Sequence, residues 1–504
     1  MTSQRSKSFK GILLLCAANL LSVLPLAAQP KQITILHTND MHANFLPREA
    51  LWVKRSPKPL VGGFNELAFA IDSIRKIRTA TLVLDAGDLM TGNPITDRVY
   101  KGAEGGALVE MMDLIGYEGM TPGNHDFDIS HASFLKLVAI ANFPVVSANL
   151  IDEKSGQPVT RSPYVILQEN GLKIGIFGLM STDFYNLVSR NSTKGIKLLP
   201  PIPTAEKYIE LLRPQTDLVI AITHQGVRDD SILAVNVQGL DVIIGGHSHT
   251  RLKKPKFING VIIAQTGSDC ENLGVLDLTV DHKRVTQWDG NLHQLWYNPN
   301  RQKTAVTALV DSFKTEIDKE YSQVIGTLKD AWKMSGWETG AGNFIADAQR
   351  EAAHADIAFM NTGGIRKNLL PGPITKQDLF EVLPFRNILT TFEVSGRQIR
   401  EIVRHDVEGK PGIQVSGIRC EWKRDASGKV EIVKLLVGGK PVEDTRMYVG
   451  AASDYMMGEA ERYLGVNPSK LTYLNETVFN AVLQKVLAMK TVTSPVEGRI
   501  KRIK

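Results

Sequence analysis

Cysteine is nearly absent from this 504-residue sequence: there are three, and one of them, Cys16, falls in the first segment. A disulfide framework is therefore excluded as the source of stability. Cys270 and Cys420 are expected in different domains, each as an unpaired, buried, small apolar residue. No Lys or Arg block suggests a nucleic-acid partner. Basic residues are scattered among acids, and a net charge of +6 over this length is too weak to imply a nucleic-acid partner. There is no internal repeat and no low-complexity tract. Only one apolar run, Gly11 to Ala27, invites reading as a membrane segment, and no later run could span a bilayer. What is left is ordinary globular composition, 43% hydrophobic and 22% charged, in a chain long enough for two cores.

The apolar run follows Arg5, Lys7 and Lys10 and ends in the small residues Ala27 and Ala28. That order is the order of a secretory signal peptide cleaved near Ala28 or Gln29. Asn19 and Pro25 interrupt the run, which is short for a retained anchor. Leu15 before Cys16, and the apolar residues beyond it, argue against lipoprotein anchoring. The expected location is periplasmic or secreted, with no stable membrane insertion after cleavage.

Short β-branched runs recur through the first half: Ile33 to Leu36, Leu82 to Leu84, Val145-Val146, Ile174 to Phe177, Leu218 to Ile222, Val242 to Ile244 and Val261 to Ile263. Continuous apolar runs suit strands buried on both faces. Phe64, Leu67, Ala68, Ile71, Ile74 and Ile77 recur at helical spacing between two of them. The pattern predicts a layered α/β domain. From Thr304 to Ile325, Val306, Leu309, Val310, Phe313 and Ile317 mark one face of a helix that connects to a second domain. The second half again mixes helices, at Thr375 to Val382 and Ser395 to Val407, with strands at Val430 to Val437 and Met447 to Ala451. The expected division is 1–28 signal peptide, 29–300 first domain, 301–325 linker helix and 326–504 second domain.

Five polar clusters punctuate the first domain: Asp40-Met41-His42, Gly87-Asp88, Gly123-Asn124-His125-Asp126, Thr223-His224 and Gly246-His247-Ser248-His249. Four directly follow a strand-like run, and the carboxyl ends of parallel strands collect at one sheet edge, where ligands bind. A single such Asp is usually a helix N-cap and a single such His is usually structural. Five clusters at strand ends are not explained that way. Asp40, His42, Asp88, Asn124, His224, His247 and His249 offer oxygen and imidazole and no thiolate. That donor set suits borderline divalent ions such as Zn, Mn or Co, with Mg as a further option, over a closed structural zinc site. It is too large for one tetrahedral ion and suits two that share a carboxylate. Such a pair clamps a phosphoryl group and generates a hydroxide nucleophile near neutral pH.

These clusters, in this order, resemble the signature of the calcineurin-like metallophosphoesterases. Ile35-Leu36-His37-Thr38-Asn39-Asp40-Met41-His42, Asn361-Thr362-Gly363-Gly364-Ile365-Arg366, Leu383-Pro384-Phe385-Arg386-Asn387 and Val496-Glu497-Gly498-Arg499-Ile500 are similar to the 5′-nucleotidase and UDP-sugar hydrolase family. The resemblance spans nearly the whole mature chain. It implies a layered metallophosphoesterase domain of β-sheets flanked by helices, joined by the linker helix to an α/β substrate-recognition domain.

By that resemblance Asp40, His42 and His249 would hold one metal, Asn124, His224 and His247 the other, and Asp88 would bridge them. His125, paired with Asp128, would stabilise the transition state or protonate the leaving oxygen. A carboxylate neighbour that orients an imidazole is consistent with this role. His37 is expected as a core or supporting residue and Asn39 as a partner of a ligand. In the second domain Arg366 would meet phosphate or a carboxylate, Gly363 and Gly364 would let backbone amides approach the ligand, and Asn387 would join them. The family clamps the base between two rings. Here Gly412 stands where the first is expected, and Tyr463, after Met457 to Arg462, is the surviving candidate for the second. Arg386 replaces the usual small residue before Asn387.

The implied activity is that of an exported dinuclear-metal phosphohydrolase that releases phosphate from nucleoside 5′-monophosphates by in-line attack of a metal-bound hydroxide. A 2′,3′-cyclic nucleotide phosphodiesterase or a nucleotide-sugar pyrophosphatase on the same scaffold is the alternative. A binding protein without catalysis should lack the bridging acid or the histidine after Asn124, and both Asp88 and His125 are present. The expected partner is a small nucleotide or related phosphoester. Oligomeric state is left open.

Overall fold

The computed structural model describes residue 1 and residues 29–409 and 412–503. The signal-peptide reading, with Cys16, lies outside the described residues.

The first domain has four layers. One sheet contains, in spatial order, the strands Arg284–Gln294, Asn272–Asp281, Lys31–Thr38, Thr81–Asp85 and Gly119–Met120. The last three run parallel. The other sheet is ordered Lys256–Ile258, Val261–Ala264, Val242–Gly245, Leu218–His224, Leu172–Met180 and Tyr164–Glu169, with its four central strands parallel. Side chains alternate between the faces of each strand. Ile33, Ile35, Leu82 and Leu84 therefore pack against Ile174, Ile176, Ile220, Ile222 and Ile244 between the sheets. Leu36 and Val83 face the helices Phe64–Arg75 and Gly106–Ile115 on one outer side. Phe177, Val219, Ala221 and Ile243 face Pro201–Leu212 and Val227–Asn236 on the other. Both faces are covered, which is why the runs are continuously apolar. Each Ile or Leu so buried contributes about 1.5–3 kcal/mol.

Val145 and Val146 differ from the strand expected of them: they form only isolated bridges to Met120 and Ser162. The connecting helix runs Ala305–Tyr321, and Thr304 Oγ1 accepts from the Thr307 amide at its N-cap. It stops short of Ile325, because Val324–Leu328 is already a strand of the second domain. Val306, Val310, Phe313 and Ile317 pack into the first domain's outer core. Glu320, near its C-terminus, pairs with Arg98 of the first domain and Lys376 of the second.

The second domain has a five-stranded sheet ordered Ile413–Ser416, Ile357–Asn361, Met447–Ser453, Ile388–Ser395 and Ser469–Thr477. Two smaller sheets and the helices Gly340–Ala352, Gly396–Val407 and Val478–Met489 complete it. Thr375 caps Lys376–Val382 and Ser395 caps Gly396–Val407, so each helix starts one residue after the expected first position. Cys270 and Cys420 are free and buried, one in each domain's core. No helix among the described residues is long and apolar enough to cross a membrane.

Candidate active site

The five polar clusters meet at one edge. Asp40, Asp88 and Asn124 follow the ends of Lys31–Thr38, Thr81–Asp85 and Gly119–Met120 in one sheet, while His224 ends Leu218–His224 and His247 follows Val242–Gly245 in the other. The chain turns sharply after each strand. Asp40, His42, Asp88, His247 and His249 all have φ between 47° and 78°, the left-handed region that non-glycine residues avoid. Such conformations cost about 1–3 kcal/mol each and persist where the surroundings over-determine them. The loops also touch: a Cβ on Gly123 would lie 2.2 Å from Asp88 Oδ1, so only glycine fits.

Two overlapping groups of donors result. Asp40, His42 and His249 each present a ligand atom within 4.8 Å of the others, and so do Asp40, Asp88 and His224. His42 Nε2 and His249 Nε2 are 3.0 Å apart. Asp88 Oδ2 lies 3.1 Å from His224 Nε2 and 4.0 Å from His42 Nε2, so it reaches toward both groups. The His247 ring lies 5.1 Å from the His224 ring, and the His247 amide donates to both Asp40 oxygens at 3.1 and 2.9 Å. Asn39 Nδ2 donates to Asp40 Oδ2 at 2.6 Å, while Asn39 Oδ1 accepts from the Thr266 amide at 2.8 Å.

The donor chemistry fits divalent ions. His42 Nδ1 donates to the Met90 carbonyl at 3.3 Å and His224 Nδ1 to the Ala86 carbonyl at 2.7 Å. Since a carbonyl can only accept, each proton sits on Nδ1 and each Nε2 faces inward. Burial, then His249, pushes His42 down to about 3, and burial, then His224, pushes His247 down to about 4. Both rings are therefore neutral, with lone pairs free to bind a cation. Burial raises Asp88, but His224 and His125 outweigh it and hold the carboxyl well below its ordinary range. Burial lowers His224, but Asp88 outweighs it and pushes the ring up to about 10, so its Nε2 holds a second proton toward Asp88 that a cation would have to displace. Asn124 Oδ1 is buried with no hydrogen-bond partner among the described residues. Buried acceptors converging in this way call for positive charge.

Beside them His125 Nδ1 donates to Asp128 Oδ2 at 2.7 Å, and the His125 amide donates to Asp88 Oδ1 at 2.7 Å. The calcineurin-like phosphoesterase model matches residues 33–251, and the 5′-nucleotidase C-terminal domain model matches residues 324–465. The chain belongs to the calcineurin-like phosphoesterases that carry a 5′-nucleotidase C-terminal domain. A 5′-nucleotidase of Vibrio vulnificus (strain CMCP6) is 28% identical over 89% of this chain and 90% of its own length. The trifunctional nucleotide phosphoesterase protein YfkN of Bacillus subtilis (strain 168) is 29% identical over 94% of this chain, which spans 35% of that longer protein. The 5′-nucleotidase precursor of Thermus thermophilus superposes with a TM-score of 0.82 at 25% identity, over 94% of this chain and 99% of that one.

In this phosphoesterase the second domain brings Arg366 close enough that its charge bears on both His42 and His125. No carboxylate lies within ion-pair distance of Arg366 among the described residues, so its charge is available. Gly363 is exposed and Gly364 buried in the turn Thr362–Gly364, and a Cβ on Gly363 would meet nothing within 4 Å. Asn387 is half-buried, and its carbonyl accepts from the Val478 amide. Tyr463 corrects the sequence reading. Its ring is buried in the second domain's apolar cluster, because the short helix Ala460–Leu464 turns it inward, and its hydroxyl lies 3.3 Å from that of Tyr455. It is not a free stacking face. Gly412 lies against Thr362, whose amide and hydroxyl donate to its carbonyl at 3.1 and 3.0 Å.

Three supporting residues escaped the sequence reading of roles. The Asp126 carboxyl accepts from the amides of Gly123, Asp88 and Met90 at 2.8, 3.2 and 3.1 Å, tying two ligand loops together. Burial, then Asp88, pushes it up to about 7. Thr91 Oγ1 donates to Asp128 Oδ2 at 2.6 Å. The Phe385 ring lies 5.7 Å from the His125 ring. Asp126 and Phe385 stand inside the recognised motifs, which was the available signal; Thr91 carries none. His37 is a buried core residue, pushed down to about 4 by burial.

Proposed function

We propose that this chain is an exported phosphomonoesterase that acts first on nucleoside 5′-monophosphates. The observation that carries the reading is the convergence of seven candidate ligands on one edge, with His125–Asp128 beside them and the Arg366 charge close by. Two divalent ions held there would supply Lewis-acid charge and lower the pKa of water enough for attack on phosphorus near neutral pH. Asp40, His42 and His249 would hold one ion, Asn124, His224 and His247 the other, and Asp88 would serve both.

The remaining steps belong to the chain's own groups. His125 carries one proton on Nδ1, held by Asp128, so Nε2 is the atom that can donate a second proton to a leaving oxygen. Burial lowers His125, but Asp128 and Asp88 outweigh it, so the ring lies above its ordinary value and keeps that proton more readily. Arg366 offers a planar fork to phosphate oxygens and helps neutralise charge that builds on them. The turn at Thr362–Gly364 leaves backbone open to a ligand beside it.

A second reading on the same site is a cyclic phosphodiesterase or nucleotide-sugar pyrophosphatase. It is favoured by Gly412 and by the burial of Tyr463, so that neither expected position offers the base a free ring. The deciding experiment is a substrate panel on purified mature protein with added Mn, Co or Zn. Release of phosphate from AMP and UMP supports the first reading. Turnover of only a cyclic nucleotide or a nucleotide sugar supports the second, and metal-loaded protein inert toward all of them defeats both.

A further inference from the structure

The segment Pro384 to Asn387 reaches from the second domain into the first beside the catalytic edge. The Phe385 ring lies 5.7 Å from the His125 ring at an interplanar angle of 31°, and the Arg366 guanidinium carbon is 6.0 Å from the centroid of the same Phe385 ring. The next residue, Arg386, crosses the domain boundary. Its Nε and Nη2 donate to Asp97 Oδ1 at 3.1 and 2.8 Å, and its Nη1 donates to Glu104 Oε1 at 2.9 Å. A guanidinium is always charged and its donors are fixed in one plane, so three such bonds define an orientation as well as a contact.

Both acids belong to the stretch that leaves Asp88. Asp97 ends the turn Pro94–Asp97, whose Asn93 cap accepts from the Ile95 amide at 3.1 Å. Glu104 also accepts from Ser133 Oγ at 3.1 Å, on the helix His131–Ile140 that follows Asp128. Thr91, on the same stretch, holds Asp128. One loop thus supports Asp128 from one side and anchors Arg386 from the other. The Arg386 side chain is 46% exposed and its partners 30% and 31% exposed, so the pairing contributes little as a stability element. Its consequence is geometric.

We propose that Arg386 is a positioning residue: by clamping to Asp97 and Glu104 across the domain boundary it seats Phe385 against His125 and so sets how His125 and Arg366 face one substrate. The proposal rests on the reading of His125 as the proton donor. Small displacements matter here, since misplacement of a reacting group by about 1 Å costs on the order of a hundredfold in rate.

The test compares Arg386→Ala, Arg386→Lys, the double variant Asp97→Asn with Glu104→Gln, and the triple variant that combines it with Arg386→Ala. Arg386→Ala is expected to keep its metal content and melting temperature while kcat falls about 10- to 100-fold and KM changes less. The double variant is expected to match it and the triple to add nothing, as one interacting unit requires. Arg386→Lys, with the charge but not the fork, should recover part of the loss. A second readout needs no turnover. Cys270 and Cys420 are buried, so in a Phe385→Cys chain expressed from Gln29, without Cys16, the new thiol is the one that labels. Adding Arg386→Ala to that chain should speed labelling by about tenfold or more if Arg386 holds the segment down. Unchanged labelling, unchanged kcat, or additive losses in the triple variant overturn the proposal. A wild-type protein without phosphatase activity defeats the reading of His125 instead, and the labelling result still decides whether Arg386 seats the segment.

Discussion

His125 Nδ1 donates to Asp128 Oδ2 at 2.7 Å, and Thr91 Oγ1 donates to the same oxygen at 2.6 Å. The carboxylate is thereby held in one place and in turn holds the ring in one tautomer, with Nε2 directed away from Asp128. His125→Ala should keep metal and lose about 10² to 10⁴ in kcat. Asp128→Asn should lose less, and the pair together little more than His125→Ala alone. Loss of metal with kcat per bound metal unchanged would make His125 a ligand or a structural residue.

Chelation should abolish activity, and Mn, Co or Zn should restore it. Asp88→Ala should weaken both ions, because Asp88 reaches toward both donor groups, whereas His249→Ala should mainly weaken one. Metal analysis after dialysis reads this directly. Ions bound at about 100 times their dissociation constant stabilise the fold by about 2.7 kcal/mol, so chelation should also lower the melting temperature of wild type and not of Asp88→Ala.

Gly246→Ala tests how tightly the loops are pressed together. A Cβ there would stand 2.6 Å from the Ala86 carbonyl oxygen, the atom that orients His224, and 2.9 Å from His224 Nδ1. Overpacking costs about 1–3 kcal/mol, and disturbing a ligand's orienting partner costs about 10- to 100-fold in metal affinity. Thermal unfolding and metal titration should both register it; a variant with wild-type values would mean that the loop yields freely.

Base selectivity should be weak. Stacking contributes about 1–3 kcal/mol per base, and with Gly412 in place of a ring and Tyr463 buried, about 10- to 100-fold in kcat/KM is missing. Values for AMP, UMP and ribose 5-phosphate should lie within about that range of one another. Tyr463→Phe should leave them unchanged, and Tyr463→Ala should destabilise the fold by about 3–5 kcal/mol, as loss of a buried ring does. A thousandfold preference for one base would reveal an intact base pocket.

We propose that exported protein begins near Gln29, from the basic, apolar and small-residue order of the first 28 positions. N-terminal sequencing of exported material reads the cleavage point, and a mature chain still carrying Ile12 to Leu15 would refute cleavage.

The layered first domain and the positions of its polar clusters were legible in the sequence by itself, because both are local. A strand buried on two faces needs a continuous apolar run, and a ligand at its end needs only to be the next few residues. The second domain's helices at Thr375 to Val382 and Ser395 to Val407 were legible for the same reason. Val145 and Val146 show the limit: two β-branched residues satisfy a strand's local preference, but pairing depends on what lies beside them. Which ring is available as a stacking face was likewise decided by packing, since nothing near Tyr463 in the sequence says that its helix turns inward. The partners of Arg386 lie 289 and 282 residues away. Only the tertiary structure could supply them, because an ion pair across a domain boundary depends on how two separately folded surfaces meet, and no local pattern carries that.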